Sequence, residues 1–251
     1  MNRHFFSFGF LLPALFCMAA AHADVVINGT RIVFEAKDKE TVVQLKNNGT
    51  RPVLVQSWLD TGNPKSRPGE VKTPFMITPP VIRIEPGKGQ ALRVLKIDEP
   101  LAQNKETLFW FNVLEIPPKP QQQLAAGENL MQLAFRSRIK MFYRPDNLGM
   151  SSQEAYKKLK FSVVNNTSLK VENPTPYFIT LKDIQFKQSK NSPVLASVEK
   201  FPERMVSPGD ELVLPVSRKG KGNLAGASVF YAVINDYGGE TVNEQILGNN
   251  I

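Results

Sequence analysis

The most informative stretch of the sequence is Leu130-Met131-Gln132-Leu133-Ala134-Phe135-Arg136-Ser137-Arg138-Ile139-Lys140-Met141-Phe142-Tyr143. Apolar and polar side chains alternate along it, which predicts a β-strand longer than the usual five or so residues. One face carries Met131, Leu133, Phe135 and Ile139, and the other carries Gln132, Arg136, Arg138 and Lys140. Two interpretations stay open. The apolar face packs on an opposite sheet, or the front half of the strand is an exposed apolar edge that pairs with a partner strand.

Segments with the same alternation lie on both sides of this stretch. Before it they cover residues 40–46, 52–59, 81–85, 91–97 and 107–116, a spacing typical of an antiparallel sandwich. The pattern stops at residues 144–149, which have the composition of a linker. It resumes at residues 159–164, 170–172, 177–186, 211–216 and 228–237. The sequence therefore predicts an all-β chain of two tandem domains, residues 24–145 and 146–251, with one short helix at 151–159.

The first 23 residues resemble a secretory signal peptide. Arg3 and His4 precede an apolar run from residue 5 to 21, and Ala21-His22-Ala23 is a small-x-small cleavage signature. We expect the mature chain to begin at Asp24, which leaves 228 of the 251 residues.

The predicted mature chain contains no cysteine and no histidine, because Cys17, His4 and His22 all precede Asp24. This excludes a disulfide framework, Cys or His metal sites, a Cys nucleophile and a Ser-His-Asp triad. We expect no catalytic residues, no metal and no cofactor. The mature chain has 30 basic and 23 acidic residues, a net charge of +7, which favours acidic partners without naming one. No nucleic-acid partner is expected.

Several motifs, in the same order along the chain, resemble the periplasmic pilus chaperones of the chaperone-usher pathway, the PapD-like family. They are Gly29-Thr30-Arg31-Ile32-Val33, Gln56-Ser57-Trp58, Thr78-Pro79-Pro80, Phe111-Asn112-Val113-Leu114-Glu115-Ile116-Pro117-Pro118, Ile139-Lys140-Met141-Phe142-Tyr143-Arg144-Pro145 and Ile234-Asn235-Asp236-Tyr237-Gly238-Gly239. They are dense in the first domain and sparse in the second.

The resemblance implies two immunoglobulin-like domains in a boomerang arrangement, located in the periplasm. It implies that the protein stabilises pilin subunits by donating a strand and delivers them to an outer-membrane usher. The short connection from Pro117 to Asn129, with no cysteine pair, favours the short-loop subclass.

The resemblance also implies roles for individual residues. Arg31 and Lys140 would hold the terminal carboxylate of the subunit. Met131, Leu133 and Phe135 would form the donor strand, and their bulk predicts large complementary pockets in the subunits. Glu115, Arg144 and Asp236 would form an ion network across the domain hinge.

Two other classes of function are compatible with an all-β secreted chain. A secreted structural subunit or adhesin with tandem immunoglobulin-like domains would carry a donor extension or lack a strand, and the sequence shows neither clearly. A sandwich-fold hydrolase or sugar-binding module would need clustered exposed aromatic residues, whereas Phe109-Trp110-Phe111 alternates as a core strand does. We also expect weak self-association, in which a second copy covers the donor strand.

Overall fold

The computed structural model describes residues 24–97, 99–119, 121, 125–127, 129, 131–164, 167–219, 224 and 226–247. The predicted signal peptide, residues 1–23, lies outside these ranges. Within them the chain is almost entirely β-structure and forms two sandwiches in tandem. The all-β prediction is therefore confirmed.

The first sandwich has a four-stranded sheet in the order β1-β3-β7-β5 and a five-stranded sheet in the order β2-β9-β8-β4-β6. Buried apolar side chains such as Phe34, Leu92 and Phe111 fill the space between the sheets. Strand β2 runs parallel to β9, whereas the other pairings are antiparallel. The strands are β1 (Val25–Ile27), β2 (Arg31–Glu35), β3 (Glu40–Asn47), β4 (Val53–Asp60), β5 (Phe75–Thr78), β6 (Val81–Ile84), β7 (Gly89–Lys96), β8 (Thr107–Ile116) and β9 (Phe135–Arg144).

The second sandwich has a three-stranded sheet, β10-β11-β15, and a six-stranded sheet, β16-β13-β12-β17-β18, in which β14 also pairs with β12. Its core includes Leu169, Ile179 and Phe186, all fully buried. The strands are β10 (Lys160–Val164), β11 (Ser168–Glu172), β12 (Ile179–Lys187), β13 (Ala196–Ser197), β14 (Met205–Val206), β15 (Glu211–Pro215), β16 (Ser217–Arg218), β17 (Ser228–Ile234) and β18 (Glu240–Ile246).

A short helix, α1 (Ser152–Tyr156), lies between the domains, where the sequence predicts one. Its first turn is fixed by a capping box: the Ser151 hydroxyl accepts from the Glu154 amide, and the Glu154 carboxylate accepts from the Ser151 amide.

Strand β9 begins at Phe135, so the prediction of one strand over the whole 130–143 stretch is wrong at its front end. The described residues 131–134 have no regular secondary structure. In the β8–β9 register Glu115 faces Phe135, and β8 ends one residue later, before Pro117 and Pro118. Proline has no amide hydrogen and cannot continue the ladder. The Gln132 side chain instead donates to the Pro117 and Pro118 carbonyls, at 2.8 and 3.1 Å.

A buried carboxylate, Asp60 at the end of β4, fixes the front half of β9. Its oxygens accept from Arg138 Nη2 at 2.5 Å, Asn112 Nδ2 at 2.8 Å and Ser66 Oγ at 3.0 Å. The Arg138 guanidinium also stacks on Trp110, 4.0 Å from the ring centroid. Burial raises the pKa of Asp60, but these hydrogen bonds, led by that of Arg138, outweigh burial and leave the pKa below its usual value.

We expect Asp60→Ala to lower the free energy of unfolding by about 3 kcal/mol at pH 7, because Arg136 and Arg138 both lose their buried partner. The pKa of Asp60 is lower in the folded state than in the unfolded state. Its contribution is therefore complete above the ordinary aspartate pKa and lost as the pH falls through the lowered value. Urea unfolding measures both effects. The matched control, Asp38→Ala at an exposed turn, should change stability by less than about 0.5 kcal/mol. Equal losses in the two variants would contradict the role given to Asp60.

Candidate functional site

Two basic residues lie side by side where the domains meet. Arg31 on β2 and Lys140 on β9 are register partners in the parallel pair. Neighbouring strands are about 4.8 Å apart and registered side chains lie on one face, so the two cations form a single site. Arg31 Nη1 donates to the Ile234 carbonyl at 2.9 Å, and Lys140 Nζ donates to Thr180 Oγ1 at 3.4 Å. Both residues therefore connect the first domain to the second.

The charges of this pair are compensated only in part, because Asp236 and Glu106 act on Arg31, and Glu203 acts on Lys140, without direct contact. Within the described ranges neither Arg31 nor Lys140 forms an ion pair with a carboxylate, and Arg31 Nε is buried without a hydrogen-bond partner. Burial and, to a smaller extent, the neighbouring Arg31 charge lower the pKa of Lys140 to about 8. Burial also lowers the pKa of Arg31. A bound anion would relieve both costs, so the geometry is that of an anion site.

The predicted donor residues lie next to this pair along the chain. Met131 and Leu133 have 86% and 56% of their surface exposed, and Phe135 at the start of β9 is half-buried. Strand β2 pairs with β9 only from Lys140 onward. Phe135 to Ile139 therefore present an unpaired strand edge, and an exposed apolar segment precedes it. At about 3.4 Å per residue, Phe135 at the far end of this edge is about 17 Å from Lys140.

Arg144, at the end of β9, is the centre of an ion network between the domains. Its guanidinium donates to both Asp236 oxygens at 2.9 Å, to Glu106 Oε1 at 2.8 Å and to Glu35 Oε1 at 3.3 Å. Burial lowers the pKa of Arg144, but the bonds to Asp236 and Glu106 outweigh burial and raise it above its usual value. The structure thus brings together two of the three predicted network residues, Arg144 and Asp236.

Glu115, the third predicted member, lies elsewhere. Its Oε2 accepts from the Val25 amide at 2.9 Å. In the β8–β9 register Glu115 faces Phe135, whereas Thr107 faces Tyr143, so Glu115 and Arg144 are at opposite ends of the pair. That separation is nine residues, or about 31 Å along the strands. Glu115 cannot contribute to the network.

Glu106 occupies the place that the sequence reasoning gave to Glu115. It is buried beside Arg144, and its Oε2 accepts from the Phe178 amide of the second domain at 2.8 Å. Burial raises the pKa of Glu106 to about 7, against the opposing effects of Arg144 and the Phe178 amide. The register explains the exchange, because the antiparallel pairing of residue 107 with 143 also places residue 106 beside 144.

The turn that carries Asp236 is built to approach the first domain closely. Gly238 has φ 82°, a conformation that other residues rarely adopt, and a Cβ at this position would collide with Thr30 Oγ1. Thr30 directly precedes Arg31. The glycine thus permits the contact that places Asp236 near Arg144 and the Ile234 carbonyl near Arg31.

Two kinds of feature are absent from the described part of the chain. No helix there is long and apolar enough to cross a membrane. No group of three His, Cys, Asp or Glu side chains there is arranged to hold a metal ion.

Comparison with known proteins assigns the family. Residues 24–149 match the model for "Pili and flagellar-assembly chaperone, PapD N-terminal domain", and residues 154–245 match "Pili assembly chaperone PapD, C-terminal domain". The chain belongs to the PapD-like pilus assembly chaperones. The prediction of two immunoglobulin-like domains is confirmed with the family.

This PapD-like chain matches named chaperones over nearly their whole length. The probable fimbrial chaperone YadV of Escherichia coli strain K12 is 41% identical, over 89% of this chain and 91% of the relative. The chaperone protein HifB of Haemophilus influenzae is 41% identical, over 94% and 93%. The crystal structure of the YadV chaperone superposes with a TM-score of 0.72 at 36% identity, over 90% of this chain and 100% of that one.

The PapD-like hinge network should impose a pH dependence on stability. Glu106 has a higher pKa folded than unfolded, so the folded state binds more protons between about pH 4.5 and 7. Wild-type stability should therefore fall, relative to Glu106→Gln, as the pH rises through this window. Urea unfolding at several pH values measures the difference. Glu99→Gln, which removes an exposed carboxylate, is the matched control and should run parallel to wild type. A Glu106→Gln curve that also runs parallel would contradict the assignment.

Proposed function

We propose that this chain is a non-enzymatic periplasmic chaperone that binds fimbrial subunits by donor-strand complementation and delivers them to an outer-membrane usher. The observation that carries the proposal is a combination of two features. Arg31 and Lys140 form a cation pair that has no direct ion-pair partner among the described residues, and the β9 edge beside it is unpaired and preceded by exposed apolar side chains. Relatives named fimbrial chaperones support this function over that of a structural pilus subunit.

The terminal carboxylate of the subunit would bind between Arg31 and Lys140. Each charge-assisted hydrogen bond to a partly buried carboxylate contributes about 1.5–3 kcal/mol. The carboxylate would also set the register of the paired strand, because a shift of one residue turns every side chain to the opposite face. The cation pair would thus align the subunit as well as hold it.

The donor residues Met131, Leu133 and Phe135 would fill the groove that a missing strand leaves in the subunit. Full burial of the three side chains contributes roughly 5–9 kcal/mol, at about 1.5–3 kcal/mol each, before the cost of ordering the segment is subtracted. The apolar strand would therefore dominate stabilisation of the subunit. The exposure of Met131 and Leu133 in the free chain supports this role, because that surface remains available for burial.

The proposal includes further steps that the resemblance suggested. Cleavage after Ala23 would release the mature chain into the periplasm, and the 24–145 and 146–251 domains would act together on the subunit. The short connection before β9 favours the short-loop subclass. In the absence of a subunit, a second copy of the chain would cover the donor segment weakly.

Replacement of Arg31 or Lys140 should weaken subunit binding while the chain still folds. We expect Arg31→Ala and Lys140→Met to weaken the complex with a co-expressed fimbrial subunit by about 10–100-fold, the equivalent of one charge-assisted bond. Titration of purified components measures the dissociation constant. At pH 7 Lys140 carries its charge at a cost, since its pKa is lowered to about 8. The melting temperature of Lys140→Met should therefore equal or exceed that of wild type. Lys39→Met is an exposed control. Unchanged dissociation constants in both cation variants would refute the anchor.

Donor residues should affect binding alone. We expect Leu133→Ser to weaken the subunit complex by about 10–100-fold, because about 1.5–3 kcal/mol of apolar burial is lost. The melting temperature of the free chain should stay within 1–2 °C or so of wild type, since Leu133 is exposed. Ala134→Ser changes the adjacent position, on the other face of the donor segment, and should bind like wild type. Equal dissociation constants for Leu133→Ser and Ala134→Ser would rule out the donor role.

A further inference from the structure

Two asparagine-glycine pairs lie at opposite ends of β1. Asn28-Gly29 directly follows the strand, and Asn48-Gly49 follows β3 at the point where β3 pairs with the start of β1. Both asparagine side chains are exposed to water. Asparagine is a chemically labile residue, and a following glycine favours loss of the side-chain amide because it has no Cβ to hinder attack by its own amide nitrogen. The chain therefore offers two candidates for the same reaction.

The reaction requires only the chain and water. The Gly29 amide nitrogen loses its proton to hydroxide and attacks Asn28 Cγ. As this bond forms, the bond between Cγ and Nδ2 breaks, and the nitrogen takes up a proton and leaves as ammonia. Water then opens the resulting five-membered imide at one of its two carbonyls, which yields aspartate or isoaspartate. One water is consumed, one ammonia is released, and a neutral side chain becomes a carboxylate.

Hydrogen bonds distinguish the two pairs in the folded chain. The Gly49 amide, the nucleophile in one pair, donates to Asn47 Oδ1 at 2.9 Å, and Asn47 is itself fully buried. The corresponding Gly29 amide forms no hydrogen bond with any residue that the structure describes. A hydrogen-bonded amide is held away from the side chain that it would attack. Asn28 is therefore free to react, whereas Asn48 is protected.

Asn28 lies at one end of the anion site. It lines a small pocket of about 160 Å³ together with Arg31 and Ile139. Arg31 belongs to the cation pair, and Ile139 is the last residue of the unpaired β9 edge, so the last residue of a bound subunit would lie beside this pocket. A sphere of this volume is about 7 Å across, which is within the screening distance of about 8 Å at physiological salt. A carboxylate at residue 28 would therefore act on Arg31.

We infer that Asn28 is a deamidation site whose products lower the affinity of Arg31 and Lys140 for the terminal carboxylate of a subunit. The modification is independent of the proposed function, whereas its effect on subunit binding rests on that function. A carboxylate at residue 28 repels the incoming carboxylate and offsets the charge of Arg31. The isoaspartate product also adds one carbon to the main chain just before β2. The free chain thus loses affinity for subunits with time while it stays folded.

Ageing of the purified chain tests the modification. The two sites share the sequence Asn-Gly-Thr, so any difference in rate comes from the fold. At mildly alkaline pH and physiological temperature, we expect Asn28 to convert about 3–10-fold faster than Asn48, the factor that corresponds to one broken hydrogen bond. In urea the two rates should be similar. Mass spectrometry of the tryptic peptides that end at Arg31 and Arg51 measures both rates. Equal rates in the folded chain would overturn the assignment.

Variants test the effect on binding. Asn28→Asp reproduces one product and should raise the dissociation constant of the co-expressed fimbrial subunit about 2–10-fold, the range for a unit charge about 10 Å away. Its melting temperature should match that of wild type, because residue 28 is exposed. Asn48→Asp makes the same change in the same motif and should bind like wild type. Aged wild type should lose affinity as Asn28 converts, whereas aged Asn28→Gln should not, because a longer side chain does not form the five-membered ring.

The outcomes separate this inference from the proposed function. If Asn28→Asp binds like wild type while Arg31→Ala does not, the effect of residue 28 on the anion site is wrong and the proposed function stands. Equal losses of affinity in aged wild type and aged Asn28→Gln would also overturn that effect. If Arg31→Ala and Leu133→Ser bind like wild type, the proposed function itself fails.

Discussion

Strand β9 is paired on both sides only from Lys140 to Tyr143, and the rest of the site depends on that limit. Where β2 joins it in parallel, Arg31 comes to lie beside Lys140. Where β2 is absent, from Phe135 to Ile139, one edge has unsatisfied hydrogen-bonding groups and an exposed apolar segment before it. If β2 extended five residues further, the edge would be covered and the cations would lie within an ordinary sheet. A single register thus separates the part of β9 that holds the domain together from the part available to a partner.

The cations at the domain boundary also fall into two groups, one paired with carboxylates and one not. Arg144 is surrounded by three carboxylates, two of them in the first domain and one in the second. Burial of such a cluster is tolerable because each charge is paired. Arg31 and Lys140, on the same two strands, have no such partners among the described residues. The network fixes the domains relative to one another, and the cost of the unmatched pair remains for a ligand to relieve.

Much of this arrangement could be predicted from the sequence, and the failures have physical reasons. Alternation at period two predicts the strands, and the motif around Lys140 predicts its pairing with Arg31 through the family. Alternation alone could not find the start of β9, because pairing ends where Pro117 follows the neighbouring strand. The assignment of Glu115 to the network was wrong because the resemblance suggested the residue but not the β8–β9 register, which places Glu115 opposite Phe135.

The composition of β9 also limits how well its exposed edge can pair with a second copy of the chain. Arg136, Arg138 and Lys140 alternate with the apolar residues, and Asp60 holds the two arginines in fixed positions on one face. In a second copy paired along this edge, cations would lie beside cations on that face, and like charges in cross-strand pairs are destabilising. A subunit strand without these charges meets no such repulsion. Under the proposed function, the same residues that order β9 would therefore favour a foreign strand over a second copy, which would keep self-association weaker than subunit binding.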